Sequence, residues 1–223
     1  MSDIQTHLRS FYGKEENDQN FLFTRLLDRN EILNFIRYKK SLGTYNVIDL
    51  GASASSWSYE VIDAAIDMKD VPGKKCFTMD VQDQDQWGEL LEYVDKNGKF
   101  DLSICSHTIE DLSYPQAAIK LLQKISNAGY ITVPSVNSEF RHIGAQGAAK
   151  GFDHHLWAFH PWEKKLLMIP KMNHIEHTEY ELDIAEDKQE LQMFWNKTIE
   201  TKHFWELVDK TVRISSLYKG FKF

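Results

Sequence analysis

The sequence predicts an α/β fold: an open, doubly wound, mostly parallel sheet with helices on both faces. Two observations carry this. From Tyr45 to Val133, short apolar runs alternate with stretches of helical period, the pattern of strand–helix–strand crossovers. Several of those runs also end abruptly in Gly, Ser or Asp. That places polar groups at the carboxyl ends of strands, where such sheets bind their ligands.

The elements follow in order. Residues 1–43 are expected as a helical N-terminal cap, because Phe21, Leu22, Leu26, Leu27, Ile32, Leu33, Phe35 and Ile36 recur at roughly helical spacing before Gly43. Asn46 to Leu50 reads as a buried first strand ending in Gly51. The second strand is Ala64 to Met68, with Val61 to Asp63 as the alternative, and Cys76 to Val81 is the third. Trp87, Leu90, Leu91 and Val94 mark an amphipathic helix closed by Asn97-Gly98. Phe100 to Cys105 is the fourth strand, Pro115 to Ser126 a helix, and Tyr130 to Val133 the fifth strand. In the tail, Lys165 to Ile169 and Ile175 to Leu182 are expected to form a β-hairpin through Pro170 to Asn173, followed by a polar helix. No linker-like stretch divides the chain. One domain is expected, with a core over 44–135 and a substrate-side completion of the sheet over 136–223.

Composition bounds the function. In 223 residues, 26 Lys+Arg stand against 33 Asp+Glu, a formal charge of −7. A nucleic-acid-binding face is usually basic, because counterion release supplies much of the affinity. Arg25, Arg29, Arg37, Lys39 and Lys40 read as a solvated helix face, so no nucleic-acid partner is expected. No apolar run approaches the ~20 residues of a membrane span, and the first twelve residues lack a signal peptide's apolar core. A cytoplasmic protein without a membrane partner is expected. Two cysteines, Cys76 and Cys105, support neither a disulfide framework nor a Cys-x-x-Cys site.

Three segments carry candidate chemistry. Val47-Ile48-Asp49-Leu50-Gly51-Ala52-Ser53-Ala54-Ser55 delivers an acid, a glycine and a run of small residues, which lets a ligand's polar end approach the backbone. Only the first glycine of the dinucleotide fingerprint is present, which disfavours a nicotinamide-dependent oxidoreductase. Acids then stand at successive strand ends: Asp67, or Asp63, and after it Asp80. A carboxylate at the second can accept both hydroxyls of a ribose, and a group at the third can meet an adenine amino group. Finally, the strand Phe100 to Cys105 opens into Ser106-His107-Thr108, where His107 is a candidate general base or positioning donor, a packing or orienting role being the commoner for a lone histidine at a strand end.

Taken in order, these motifs resemble the class I S-adenosylmethionine-dependent methyltransferases of the small type 11 kind. The match runs from Val47 to Ser135, including Met79-Asp80-Val81-Gln82-Asp83 and Gly129-Tyr130-Ile131-Thr132-Val133-Pro134-Ser135. It continues more loosely through Gly151 to Trp157. The resemblance implies a Rossmann-like fold, S-adenosyl-L-methionine as cofactor, and methyl transfer to a small molecule. It places Asp49, Gly51 and Ala52 against the methionine, with Ser53 and Ser55 at its amino-carboxylate end. Asp67, or as the less favoured alternative Asp63, then holds the ribose, Asp80 and Val81 flank the adenine, and Ser106 and His107 border the sulfonium. Ser53 and Ser55 depart from the family's glycines, which keeps a catalytically degenerate nucleoside-binding or scaffold protein as the alternative.

His107, His154 and His155 are the candidates to take a proton from an acceptor. A metal-dependent hydrolase built on His154, His155 and His160 is a further alternative. It is disfavoured because adjacent histidines on an extended segment point to opposite faces, so no metal is expected. The aromatic tract Phe152 to Trp162 reads either as a pocket wall or as packing under the C-terminal hairpin. A homodimer is kept open as the assembly.

Overall fold

The computed structural model describes residues 8, 21–24, 29–139, 151–171 and 190–211. Its main sheet has seven strands: β1 (Phe21–Thr24), β2 (Val47–Leu50), β3 (Ala64–Asp67), β4 (Lys75–Thr78), β5 (Leu102–Ser106), β6 (Ala128–Pro134) and β9 (Glu190–Asn196). Their spatial order is β1-β9-β6-β5-β2-β3-β4. Strands β2 to β6 are parallel, whereas β9 runs antiparallel between β6 and β1. The chain steps outward from β2 to β4, then returns to lay β5 on the other side of β2. That reversal opens a crevice beyond the carboxyl ends of β2 and β5.

Strand side chains alternate between two cores, as the pleat requires. Ile48, Leu50, Ala64, Ile66, Ile131 and Val133 pack on one face, with Leu90 and Val94 of α2 (Gly88–Asn97) and Leu121, Leu122 and Ile125 of α3 (Pro115–Ile125). Val47, Ala65, Leu102, Ile104 and Tyr130 pack on the other face, against Ile32, Phe35 and Ile36 of α1 (Arg29–Leu42). Helices therefore cover both faces, and the arrangement is Rossmann-like. Helix α2 ends at Gly98, whose φ of +84° and N–H donated to the Val94 carbonyl close the last turn. Pro115 opens α3 at a position where no amide is needed.

Several expectations change. The apolar residues of the N-terminal segment do not share one helix. Phe21–Thr24 is an edge strand on β9, and the helix begins only at Arg29. A run of four apolar-rich residues fits either period, and pairing with β9 selects the strand. Strand β9 itself was not expected; its apolar run Leu191 to Trp195 completes the sheet, buried on both faces. The tail hairpin is also different. Strand β8 (Lys165–Pro170) pairs antiparallel with β7 (Trp157–Trp162), through a turn at Glu163, φ +55°. The aromatic tract thus supplies a strand, with Ala158 and Phe159 buried and Trp162 exposed. Strand β10 (Thr201–His203) joins β8 in parallel and leads into α5 (Phe204–Thr211). The expected strand 175–182 lies outside the described residues. A short helix, α4 (Val136–Glu139), follows β6.

Candidate functional site

At the crevice, Gly51 separates two adjoining hollows. Its φ is +85°, and an added Cβ would overlap the Thr108 hydroxyl, so the position demands glycine. Its amide donates to the Ile66 carbonyl at 2.8 Å, tying the end of β2 to β3. Thr108, in turn, donates to the Leu50 and Ser106 carbonyls at 3.2 Å each.

The first hollow, about 240 Å³, is lined mostly by apolar groups: Leu50, Ile66, Met79, Val81 and Leu112, with the carboxylates of Asp67 and Asp80 among them. Both acids are half-buried and shaped by their own turns. Asp67 accepts the Lys69 amide at 2.9 Å, and Asp80 accepts the Gln82 amide at 2.9 Å. Such turns hold each carboxylate at its strand end. Gln82, also on the wall, accepts the Tyr114 amide at 2.8 Å and so ties this loop to the start of α3.

The second hollow, about 280 Å³, is polar. Arg29, Asp49, Ser53, Ser55, Ser56, Trp57, Ser106 and His107 surround it. The serine loop is knit internally: the Ser53 amide donates to Ser56 Oγ at 2.7 Å, and the Ser53 and Ser55 hydroxyls lie 3.0 Å apart. Trp57 donates its indole N–H to Ser106 Oγ at 3.3 Å, and the Arg29 guanidinium lies 5.9 Å from the Trp57 ring centre. No helix follows β2; turns fill residues 51–62. A pyrophosphate therefore has no helix N-terminus to rest on here, which further disfavours a dinucleotide.

Electrostatics divides the acids from the histidine. Asp49 is buried and accepts the Ser58 hydroxyl. Burial pushes its carboxyl up to about 7; the Ser58 bond opposes this and the Asp67 charge adds to it. His107 has φ +51°, a left-handed conformation uncommon outside glycine. Its Nδ1 lies 3.1 Å from Glu110 Oε1 and its Nε2 lies 2.9 Å from Glu190 Oε1. Burial opposes the charge on the ring, but the bonds to Glu110 and Glu190 outweigh it and hold the imidazole up to about 9. Glu190 is held below its ordinary value. Burial works to raise it, and the His107 bond and charge, Arg29 and the Thr132 hydroxyl more than offset that. His107 is thus an imidazolium at neutral pH with both nitrogens donating. Of the two roles expected of it, the charged ring with both nitrogens engaged favours positioning over that of a general base.

No family model matches the chain, and no curated protein matches it. Among solved structures it is similar to the N-terminal domain of EvdMO1 with SAH bound. The identity is 14% over 72% of this chain and 74% of that one, with a TM-score of 0.34. The same domain in the presence of SAH and D-fucose has the same identity and TM-score, over 72% and 73%. The small RNA methyltransferase HEN1 is similar at 8% identity over 78% of this chain and 26% of that one, with a TM-score of 0.37.

Asp49, Gly51, Ser53, Ser55, Asp67, Asp80, Val81, Ser106 and His107 all line the paired hollows. Ala52 does not. It is buried in the core beneath α1, because the chain turns away from the crevice after Gly51. Asp63 stands at the opposite end of the sheet, where it accepts the Val47 amide and pairs with Lys40 at 2.6 Å. His154 and His155 line neither hollow. They occupy a turn rather than an extended segment, and their rings lie 4.6 Å apart, so the argument from opposite faces fails. His160 is on β7, opposite Leu167.

Arg29, Ser56, Trp57, Thr108 and Glu190 were not singled out from the sequence. Ser56 lay one residue beyond a suspected segment, and Thr108 lay inside one without being given a role. Arg29 was expected on a solvated helix face but lines the polar hollow, and Glu190 carried no local signal, since each reaches the crevice from a distant element. Cys105 is buried, and burial together with Glu110 and Asp49 pushes its thiol well up, which removes it as a nucleophile.

Proposed function

We propose that the chain is an S-adenosyl-L-methionine-dependent methyltransferase acting on a small-molecule acceptor. One observation carries this reading: the crevice at the strand reversal has an apolar, acid-edged half and a polar half, joined at Gly51. A nucleoside joined to an amino acid has the same division. The ribose hydroxyls meet Asp67, and the adenine lies between Val81 and Met79 with Asp80 at its edge. The methionine end enters the polar half, where the Ser53, Ser55 and Ser56 hydroxyls and Arg29 donate to its carboxylate. Asp49 stands beside the cationic part of the ligand.

When bound, the cofactor supplies an electrophilic methyl group. The protein's task is then mainly to align an acceptor and exclude water. His107, with both N–H groups held by Glu110 and Glu190, contributes a fixed, largely offset positive charge to the wall of the polar half.

Calorimetric titration with S-adenosylmethionine, S-adenosylhomocysteine and NAD tests the reading. Binding of the two sulfur compounds, weakened by Asp67→Ala, is expected. Failure of both to bind would overturn it.

A further inference from the structure

We propose that Asp111, His154 and His155 form a divalent transition-metal site beside the crevice. Two loops build it. Asp111 lies in the turn after β5, and His154 and His155 lie in the turn before β7. Backbone bonds staple the loops together: the Leu156 and Trp157 amides donate to the Glu110 carbonyl at 2.8 and 3.2 Å. Trp157 also donates its indole N–H to the Leu112 carbonyl at 2.8 Å. One nitrogen of each histidine and one Asp111 oxygen lie within 4.8 Å of one another.

The second observation concerns His155. Its side chain is 6% exposed, and Nδ1 donates to Glu139 Oε1 at 2.7 Å. Glu139 is itself buried and paired with Lys171 at 2.9 Å. Its carboxylate also fills the space that a Cβ on Gly151 would need, so the chain can wrap over it only through glycine. A carboxylate holding one nitrogen of an imidazole fixes the tautomer and aims the other nitrogen outward, the usual support for a metal-ligating histidine. Here that other nitrogen, Nε2, points at Asp111 Oδ1, 3.9 Å away. Among the described residues it has no partner within hydrogen-bond distance.

Neighbouring ligands of one small ion stand about 3 Å apart at metal–nitrogen distances near 2.0–2.1 Å. Asp111 and His154 are exposed and can close the remaining ångström or so, while His155 stays held by Glu139. Two imidazoles and one carboxylate favour a first-row transition ion over calcium or magnesium, whose ligand sets are oxygen. Three protein ligands also leave coordination positions on the exposed side for water or for oxygen atoms of a bound molecule. His160 lies outside the group.

The test uses the full chain, stripped of metal with a chelator, and Co²⁺ as the probe. Expected is one tightly held Co²⁺ per chain, with visible absorption bands showing nitrogen ligation. His154→Ala and Asp111→Asn should each weaken binding at least ~10-fold, and Glu139→Gln by ~10–100-fold, whereas His160→Ala should leave it unchanged. His154 is exposed, so its variant keeps the test clear of misfolding, which circular dichroism checks. Unaltered affinity in both His154→Ala and Asp111→Asn would overturn the proposal. So would the absence of any Co²⁺ binding, or binding lost only with His160.

Discussion

His107 Nε2 lies 2.9 Å from Glu190 Oε1, although 83 residues separate the two in sequence. The pairing of β9 with β6 brings the first residue of β9 to the end of β5, where the His107 amide also donates to the Thr132 carbonyl at 2.9 Å. This contact and the Glu110 bond hold the ring charged. The folded-state value of about 9 exceeds the ordinary 6.5. The resulting stabilisation is therefore complete below pH 6.5 and is lost as pH rises towards 9. Urea unfolding at pH 6 and pH 9 should show wild type losing stability over that interval. His107→Gln should show a flatter profile, and parallel profiles would contradict the charge state argued here.

Asp49 gives a slope of the same sign in a lower window. Its carboxyl titrates near 7 in the folded protein against 3.8 ordinarily, so the folded state binds the extra proton between those values. Stability should fall with rising pH across that window, by up to about 1.4 kcal/mol per pH unit for one proton. Asp49→Asn should remove the slope. A cation bound beside Asp49 favours its ionised form. The affinity ratio of S-adenosylmethionine to S-adenosylhomocysteine should thus rise from pH 6 to pH 8, and stay flat in Asp49→Asn. Paired calorimetric titrations check both.

Asp67 and Asp63 differ by four positions and by one end of the sheet. Asp67→Ala should weaken S-adenosylhomocysteine binding by roughly 10–100-fold, since bonds to a charged acceptor contribute about 1.5–3 kcal/mol. Asp63→Ala should leave binding intact. It removes an exposed ion pair and the acceptor of the Val47 amide, which should lower stability by about 1–2 kcal/mol. Equal losses of binding in the two variants would contradict the assignment.

Gly51→Ala should both destabilise the fold, by about 1–3 kcal/mol, and reduce cofactor binding, because it combines a positive φ with overlap on Thr108. Thr108→Ala in the same chain should recover part of the loss by removing the overlapped hydroxyl. Thermal melts of the two single variants and the double variant measure the recovery.

The serine loop tests turnover against mere retention of the fold. The Ser53 hydroxyl bonds to those of Ser55 and Ser56, so the loop is knit by its own hydroxyls. Replacing Ser53 and Ser55 with glycine should loosen it and weaken S-adenosylmethionine binding several-fold. Tighter binding after the exchange would instead favour a chain that has lost catalytic competence.

Local pattern alone was enough for the strands from Val47 to Val133, the helices between them and most of the residues lining the crevice. Most of the parallel strands are apolar-rich runs that stop at a small or polar residue, and β–α alternation leaves few ways to connect such runs. Asp49, Gly51, Asp67, Asp80 and His107 are legible for that reason: their places follow from where a run stops. The N-terminal strand and β9 were not legible. Four and seven residues of ambiguous period become strands only because each offers the other an edge. Glu190, brought to the crevice by β9, stayed invisible with it, and Arg29, at the start of α1, read only as part of a solvated helix face. Asp63 and Asp67 are equivalent in the linear text; register against β2 puts one at each end of the sheet. His107 reads as a base or a positioning donor in sequence and becomes a held cation in space, because Glu110, three residues on, and the distant Glu190 converge on it. His154 and His155 change in the same way, from side chains assumed to diverge into neighbours, once a turn replaces the extended segment and Glu139 holds one ring in place.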